Sequence, residues 1–112
     1  MPPPDSSRPS SAVPITDPEF LAMRREIDAI DEQLLELVAA RIRIVLKVGD
    51  YKRARGMHVY DPERERQLLD RLARAAKSPL DGETARRIFE RLVDESRRLE
   101  QRHMTRKTED ST

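Results

Sequence analysis

The sequence predicts an all-α protein of three helices, one long, one short and one of medium length. Three observations carry that reading. Apolar residues recur at steps of three and four through most of residues 16–104. Proline-containing breaks near residues 57–62 and 78–82 divide the pattern into three parts. No segment alternates apolar and polar residues with the two-residue period of a half-buried strand, and no internal repeat is visible.

Residues 1–15, MPPPDSSRPSSAVPI, are rich in Pro and Ser and offer little to bury, so a disordered lead is expected there. A helix should start directly afterwards. Thr16 or Asp17 can cap it, Pro18 suits the first turn, and Glu19 stands three residues after Thr16 as a capping-box partner. No further Gly or Pro interrupts the run until Gly49, and Gly56 can close it in a left-handed C-cap. One side of this helix carries Arg24, Ile27, Asp31, Leu34, Val38, Arg41, Val45, Val48 and Lys52, at alternating steps of three and four. Such a helix is about 55 Å long, more than the remaining chain can cover. Part of it is therefore expected to lie against a second copy, in an intertwined homodimeric bundle.

The second helix repeats the start signal with Asp61 as N-cap and Pro62 at the first helical position. Its apolar positions are Leu68, Leu69, Leu72, Ala73 and Ala76, and the stripe extends back through Glu65 or Arg64 to Asp61. The third helix is expected from about Gly82 to His103, with Ala85, Ile88, Phe89, Leu92, Val93, Ser96, Leu99 and Glu100 along one side. Residues 105–112, TRKTEDST, are polar and are expected to fray.

Composition narrows the function. Among 112 residues, 38% are charged and 4% aromatic, with neither Trp nor Cys, so disulfides and Cys-based metal sites are excluded. With 22 basic and 21 acidic residues the net charge is +1, which argues against a general nucleic-acid or membrane-surface binder. No apolar run approaches 18 residues and no hydrophobic signal core opens the sequence; a cytoplasmic protein is expected.

The polar residues on the apolar stripes are the candidates for chemistry. Arg24, Arg41 and Lys52 lie on the first helix, Asp61, Arg64 and Glu65 at the head of the second, and Ser96 and Glu100 on the third. Any one of them alone reads as a snorkelling or ion-paired interface residue. Together they place more cations than acids on inward faces, the composition of a pocket for a small polycarboxylate or phosphate. Covalent catalysis has little support: Ser96 has no identifiable base, and His58 and His103 lie in a connection and near a helix end. With no metal-binding pattern and no glycine-rich phosphate loop, neither metal nor cofactor is expected, and a reaction driven by orientation and electrostatics fits best.

The stretches LAMRREIDAIDEQLLELVAARIRIVLKVGDYK, DPERERQLLDRL and RIFERLVDESRRLEQ resemble the all-helical class of chorismate mutases, of the short enteric-type domain. The spacing from Arg24 through Arg41 and Lys52 to Asp61 and Arg64 matches that family without a gap, over about residues 21–101. The resemblance implies the Claisen rearrangement of chorismate to prephenate, with no cofactor and no covalent intermediate. It implies that Arg24 reaches across a homodimer into the other subunit's site. Arg41 and Arg64 would clamp carboxylate or neighbouring groups, and Lys52 would touch the ether oxygen and a carboxylate. Asp61 and Glu65 would meet the ring hydroxyl, and Ser96 a ring carboxylate.

Two positions depart from the family pattern. Glu100 stands where a neutral donor to the ether oxygen, commonly Gln, is found, and a carboxylate there has to be protonated to donate. Arg97 stands where an apolar pocket-lining residue is usual. Isochorismate-pyruvate lyase and 4-amino-4-deoxychorismate mutase activities on the same fold are the enzymatic alternatives. A helical interaction or DNA-binding module is the non-enzymatic one, though it would place its cations outward.

Overall fold

A computed structural model describes residues 15–110; all of the expected lead but Ile15, and the last two residues, lie outside the described part. The described chain is three α-helices, α1 (Pro18–Ala54), α2 (Pro62–Ala75) and α3 (Gly82–Asp110). Among the described residues there is no strand, and no helix is long and apolar enough to cross a membrane.

Local signals account for the helix ends. Asp17, rather than Thr16, caps α1: its Oδ1 accepts from the Glu19 backbone N–H at 3.2 Å and its carbonyl from Leu21 N–H at 3.0 Å. At the other end Gly56 has a φ of 68°, the left-handed conformation that an L side chain resists, and Met57 N–H closes the turn on the Lys52 carbonyl at 2.8 Å. Asp61 caps α2 by accepting from Arg64 N–H at 3.0 Å, and Asp81 caps α3 by accepting from Thr84 N–H at 2.8 Å. Donation from the Thr84 backbone N–H holds the Asp81 carboxyl below its ordinary range.

The chain divides into two units, before and after the junction of Ala39 and Ala40, and α1 runs through both. In the first unit the apolar stripe is uncovered around Ile27, 57% exposed, and Leu34, 53%, and Leu35 beside it is 70% exposed. In the second unit α2 lies on α3, with Leu68, Ala85 and Val93 buried between polar ends. Two ion pairs tie these helices together, Asp70–Arg86 and Glu65–Arg97. As residue numbers rise along α3 from Arg86 to Arg97 they fall along α2 from Asp70 to Glu65, so the two helices are antiparallel.

One boundary differs from expectation. The fraying tail expected from residue 105 is helical through Asp110. Lys107 anchors it, its Nζ donating to Asp50 Oδ2 of α1 at 3.3 Å, and a cation in the last turn is favourable at a helix C-terminus.

The C-cap yields a direct test. Gly56→Ala should cost about 1 kcal/mol, and Gly56→Asn less, because a β-carbon strains the left-handed backbone. Urea unfolding at fixed protein concentration measures both.

Candidate active site

In the second unit residues of all three helices line a half-open cavity of about 730 Å³. Its apolar lining comes from Val45 and Val48 of α1, Val59 of the connection, Leu68 of α2 and Val93 of α3. Against that surface stand Arg41 and Lys52 from α1, Asp61, Arg64 and Glu65 from the head of α2, and Ser96 and Glu100 from α3. Seven of the eight residues proposed from the sequence thus meet in one place. Arg24 is not among the lining residues; it lies in the first unit, with its guanidinium 5.3 Å from the Phe20 ring centre.

The cations that came from the sequence stripes have no acid partners in the cavity. Among the described residues neither Arg41, Lys52 nor Arg64 has a carboxylate within 4.0 Å. Lys52 Nζ has only a long 3.5 Å contact with the Val59 carbonyl. Burial, with the nearby positive charge of Arg64, lowers the Arg41 pKa, although a guanidinium remains charged at any physiological pH. Two guanidiniums close enough to repel each other beside an apolar wall have the chemistry to pair with an anion of more than one acceptor oxygen.

The other polar residues are already engaged. Ser96 is 3% exposed and its hydroxyl donates to the Leu92 carbonyl at 2.7 Å, leaving its oxygen free to accept. Asp61 spends one carboxylate oxygen on the α2 N-cap. Both Glu65 oxygens accept from one Arg97 nitrogen, at 2.5 and 2.6 Å. Glu65 therefore carries a bound cation before any ligand arrives, while its remaining lone pairs stay available.

Glu100 lies on the α1 side of the cavity. Burial raises its pKa, and the nearby charges of Arg53 and Lys52 oppose that rise. The carboxyl is thus held toward the protonated form by poor hydration, beside groups that would welcome its ionisation.

Arg97 departs from a simply solvated side chain. It is clamped to Glu65 and its guanidinium lies 4.7 Å over the Tyr60 ring, and the Glu65 hydrogen bond raises its pKa. Its Nε is buried with no hydrogen-bond partner among the described residues. Neither Tyr60 nor Arg53, which also line the cavity, stood out in the sequence, because both lie off the apolar stripes. Behind this wall Asp50 joins α1 to α3, meeting His103 Nε2 at 3.2 Å, Lys107 Nζ at 3.3 Å and an Arg53 nitrogen at 2.9 Å. Among the described residues no three His, Asp or Glu side chains converge as a metal would require.

Known proteins share this sequence pattern and fold. The sequence profile of the family described as chorismate mutase type II matches residues 23–101. The bifunctional chorismate mutase/prephenate dehydratase of Escherichia coli K12 is 38% identical over 78 residues, covering 69% of this chain but 20% of that protein. The chain thus spans about a fifth of the length of that bifunctional relative. The chorismate mutase of Methanocaldococcus jannaschii is 30% identical over 83 residues, 73% of this chain and 84% of that one. Among solved structures, chorismate mutase (form II) from Thermus thermophilus superposes with a TM-score of 0.72 at 32% identity, over 75% of this chain and 96% of that one. Chorismate mutase from Helicobacter pylori, solved in complex with prephenate, gives 0.72 at 29% identity over 80% and 97%.

The Asp50 cluster has a pH signature. Hydrogen bonds from His103 and then Arg53 hold the Asp50 pKa at about 2, against an ordinary 3.8. A depressed carboxylate adds stability that is fully present above its unfolded pKa and is lost as pH falls through the folded one. Stability should therefore fall between about pH 4 and pH 2, and Asp50→Asn should remove that component; thermal unfolding across the range measures it.

Proposed function

The chain belongs to the type II chorismate mutase family, and we propose that it catalyses the Claisen rearrangement of chorismate to prephenate by orientation and electrostatics. The observation that carries this reading is the cavity with Arg41, Lys52 and Arg64 left without carboxylate partners on an apolar wall. In the rearrangement the ether C–O bond breaks as a new C–C bond forms, and no proton is gained or lost overall. Catalysis then requires two things: folding a flexible dianion into a compact shape, and stabilising negative charge on the departing ether oxygen.

Each side chain has a part in that scheme. Arg41 and Arg64 hold substrate carboxylate and neighbouring groups, and Ser96 meets the ring carboxylate. Lys52 contacts a carboxylate and the ether oxygen, where charge grows. Glu100, protonated, donates to the same oxygen from the other side. Asp61 and Glu65 meet the ring hydroxyl, whose single proton goes to one of them, Glu65 being held in place by Arg97. The catalytic residues are Lys52, Glu100 and Arg41, and residues 16–104 form the functional domain.

The site is completed in this proposal by a second copy. The uncovered stripe of α1 around Ile27 and Leu34 becomes the interface of a homodimer, and Arg24 of one subunit enters the site of the other. Apolar area of that extent along one helix is what association would bury.

Conversion of chorismate, followed by its loss of absorbance with prephenate identified as product, tests the reaction; isochorismate and 4-amino-4-deoxychorismate serve as competing substrates. Preferential turnover of either would overturn the assignment. Arg41→Ala should lower kcat/KM by roughly 10²- to 10³-fold, as loss of one preorganised charge-bearing donor does, with the dimer retained by sedimentation. Loss of the fold in that variant would instead identify Arg41 as structural.

The raised Glu100 pKa fixes the direction of the pH dependence. Only the protonated form donates, so kcat should fall as pH rises through that pKa, and Glu100→Gln should flatten the profile. A flat wild-type profile through neutral pH would contradict this role.

A further inference from the structure

Gly49 is the buried residue of α1, near the end of a helix whose other positions after the first turn hold better helix formers. Interior glycine weakens a helix relative to alanine, so the position needs a compensating reason. A β-carbon built there would stand 1.9 Å from Glu100 Oε2 and 2.9 Å from Glu100 Cδ, with an Arg53 nitrogen next at 3.3 Å. The space left by the missing side chain is thus filled by the Glu100 carboxyl.

We propose that Gly49 is a positioning residue for Glu100: its lack of a side chain lets the carboxyl lie flat against α1 at the cavity wall, sheltered from water and aimed across the site. This deepens the reading of Glu100 as the donor to the ether oxygen and rests on it. Glu100 reaches the spot from α3, and its side chain can swing, so a methyl group at position 49 displaces the carboxyl rather than the backbone. The displaced carboxyl moves into solvent and loses the desolvation that favours its protonated form. The charged groups acting on it are Arg53, Lys52 and Asp50 from α1 and His103 from its own helix, while Asp61, Arg64 and Glu65 of α2 line the same cavity.

The test is Gly49→Ala in the full chain. Glu100 titration, read from side-chain ¹³C NMR and assigned by its absence in Glu100→Gln, should have its midpoint lowered by on the order of one pH unit. The falling limb of kcat should move down by the same amount, costing up to roughly tenfold in turnover above both midpoints, with KM changed less. The thermal midpoint should hold or rise, because alanine is the better helix former. The NMR shift should persist in a His103→Gln background, which separates it from imidazole titration. Should Gly49→Ala fail to fold, adding Glu100→Ala removes the clashing carboxyl and should restore folding. An unchanged Glu100 midpoint in a folded Gly49→Ala protein, or a double variant as unstable as the single one, would overturn the proposal. Failure of the wild-type protein to turn over chorismate would remove the catalytic reading, while the NMR titration still decides the seating of Glu100 by Gly49.

Discussion

Positive charges that face one another across an apolar wall repel, and something has to hold them there. In the second unit that restraint comes from ion pairs and buried side chains surrounding the cavity. Asp70–Arg86 and Glu65–Arg97 clasp α2 to α3 around Leu68, Ala85 and Val93, while Asp50 ties α1 to α3 through His103 and Lys107. Acids of the described chain neutralise Arg53, Arg66, Arg86, Arg87 and Arg98, whereas Arg41, Lys52 and Arg64 have no carboxylate partner among the described residues. Unpaired charge at a site is a cost to the empty protein that a ligand removes, so the same arrangement that lowers stability creates binding energy.

The acidic side of the cavity is arranged by different means. Asp61 and Glu65 are fixed by bonds to the protein, one as an N-cap and one by Arg97, so both present acceptors in fixed places. Among the described residues Glu100 has no such partner; burial against α1, where Gly49 leaves room for it, governs it instead. Two carboxylates are thus engaged by donors, while burial pushes the third toward its protonated form against the pull of Arg53 and Lys52. The division follows from environment alone.

Much of this was legible in the sequence, for reasons that differ between elements. Caps and breaks are local, so Asp61–Pro62 and Gly56 announced the start of α2 and the end of α1 correctly. Helical periodicity is also local, and it is enough to assemble Arg41, Lys52, Ser96 and Glu100 on inward faces. Contacts between helices are not local. Nothing near Arg97 in sequence points to Glu65, 32 residues away, nor does anything near Lys107 point to Asp50 and so to a helix that continues past residue 105. Gly49 was visible only as an interruption, since its use depends on a side chain from another helix. The exposed stripe around Ile27 and Leu34 had been expected to face a partner copy, and the single chain leaves it uncovered.

The central claim, that the unpaired cations of the second unit form a dicarboxylate receptor, is tested most directly by a crystal structure with prephenate bound. The account predicts its carboxylates within hydrogen-bonding distance of the Arg41 guanidinium and Lys52 Nζ, with Arg24 of a second copy closing the site. Prephenate bound elsewhere, or an empty cavity at saturating ligand, would contradict it.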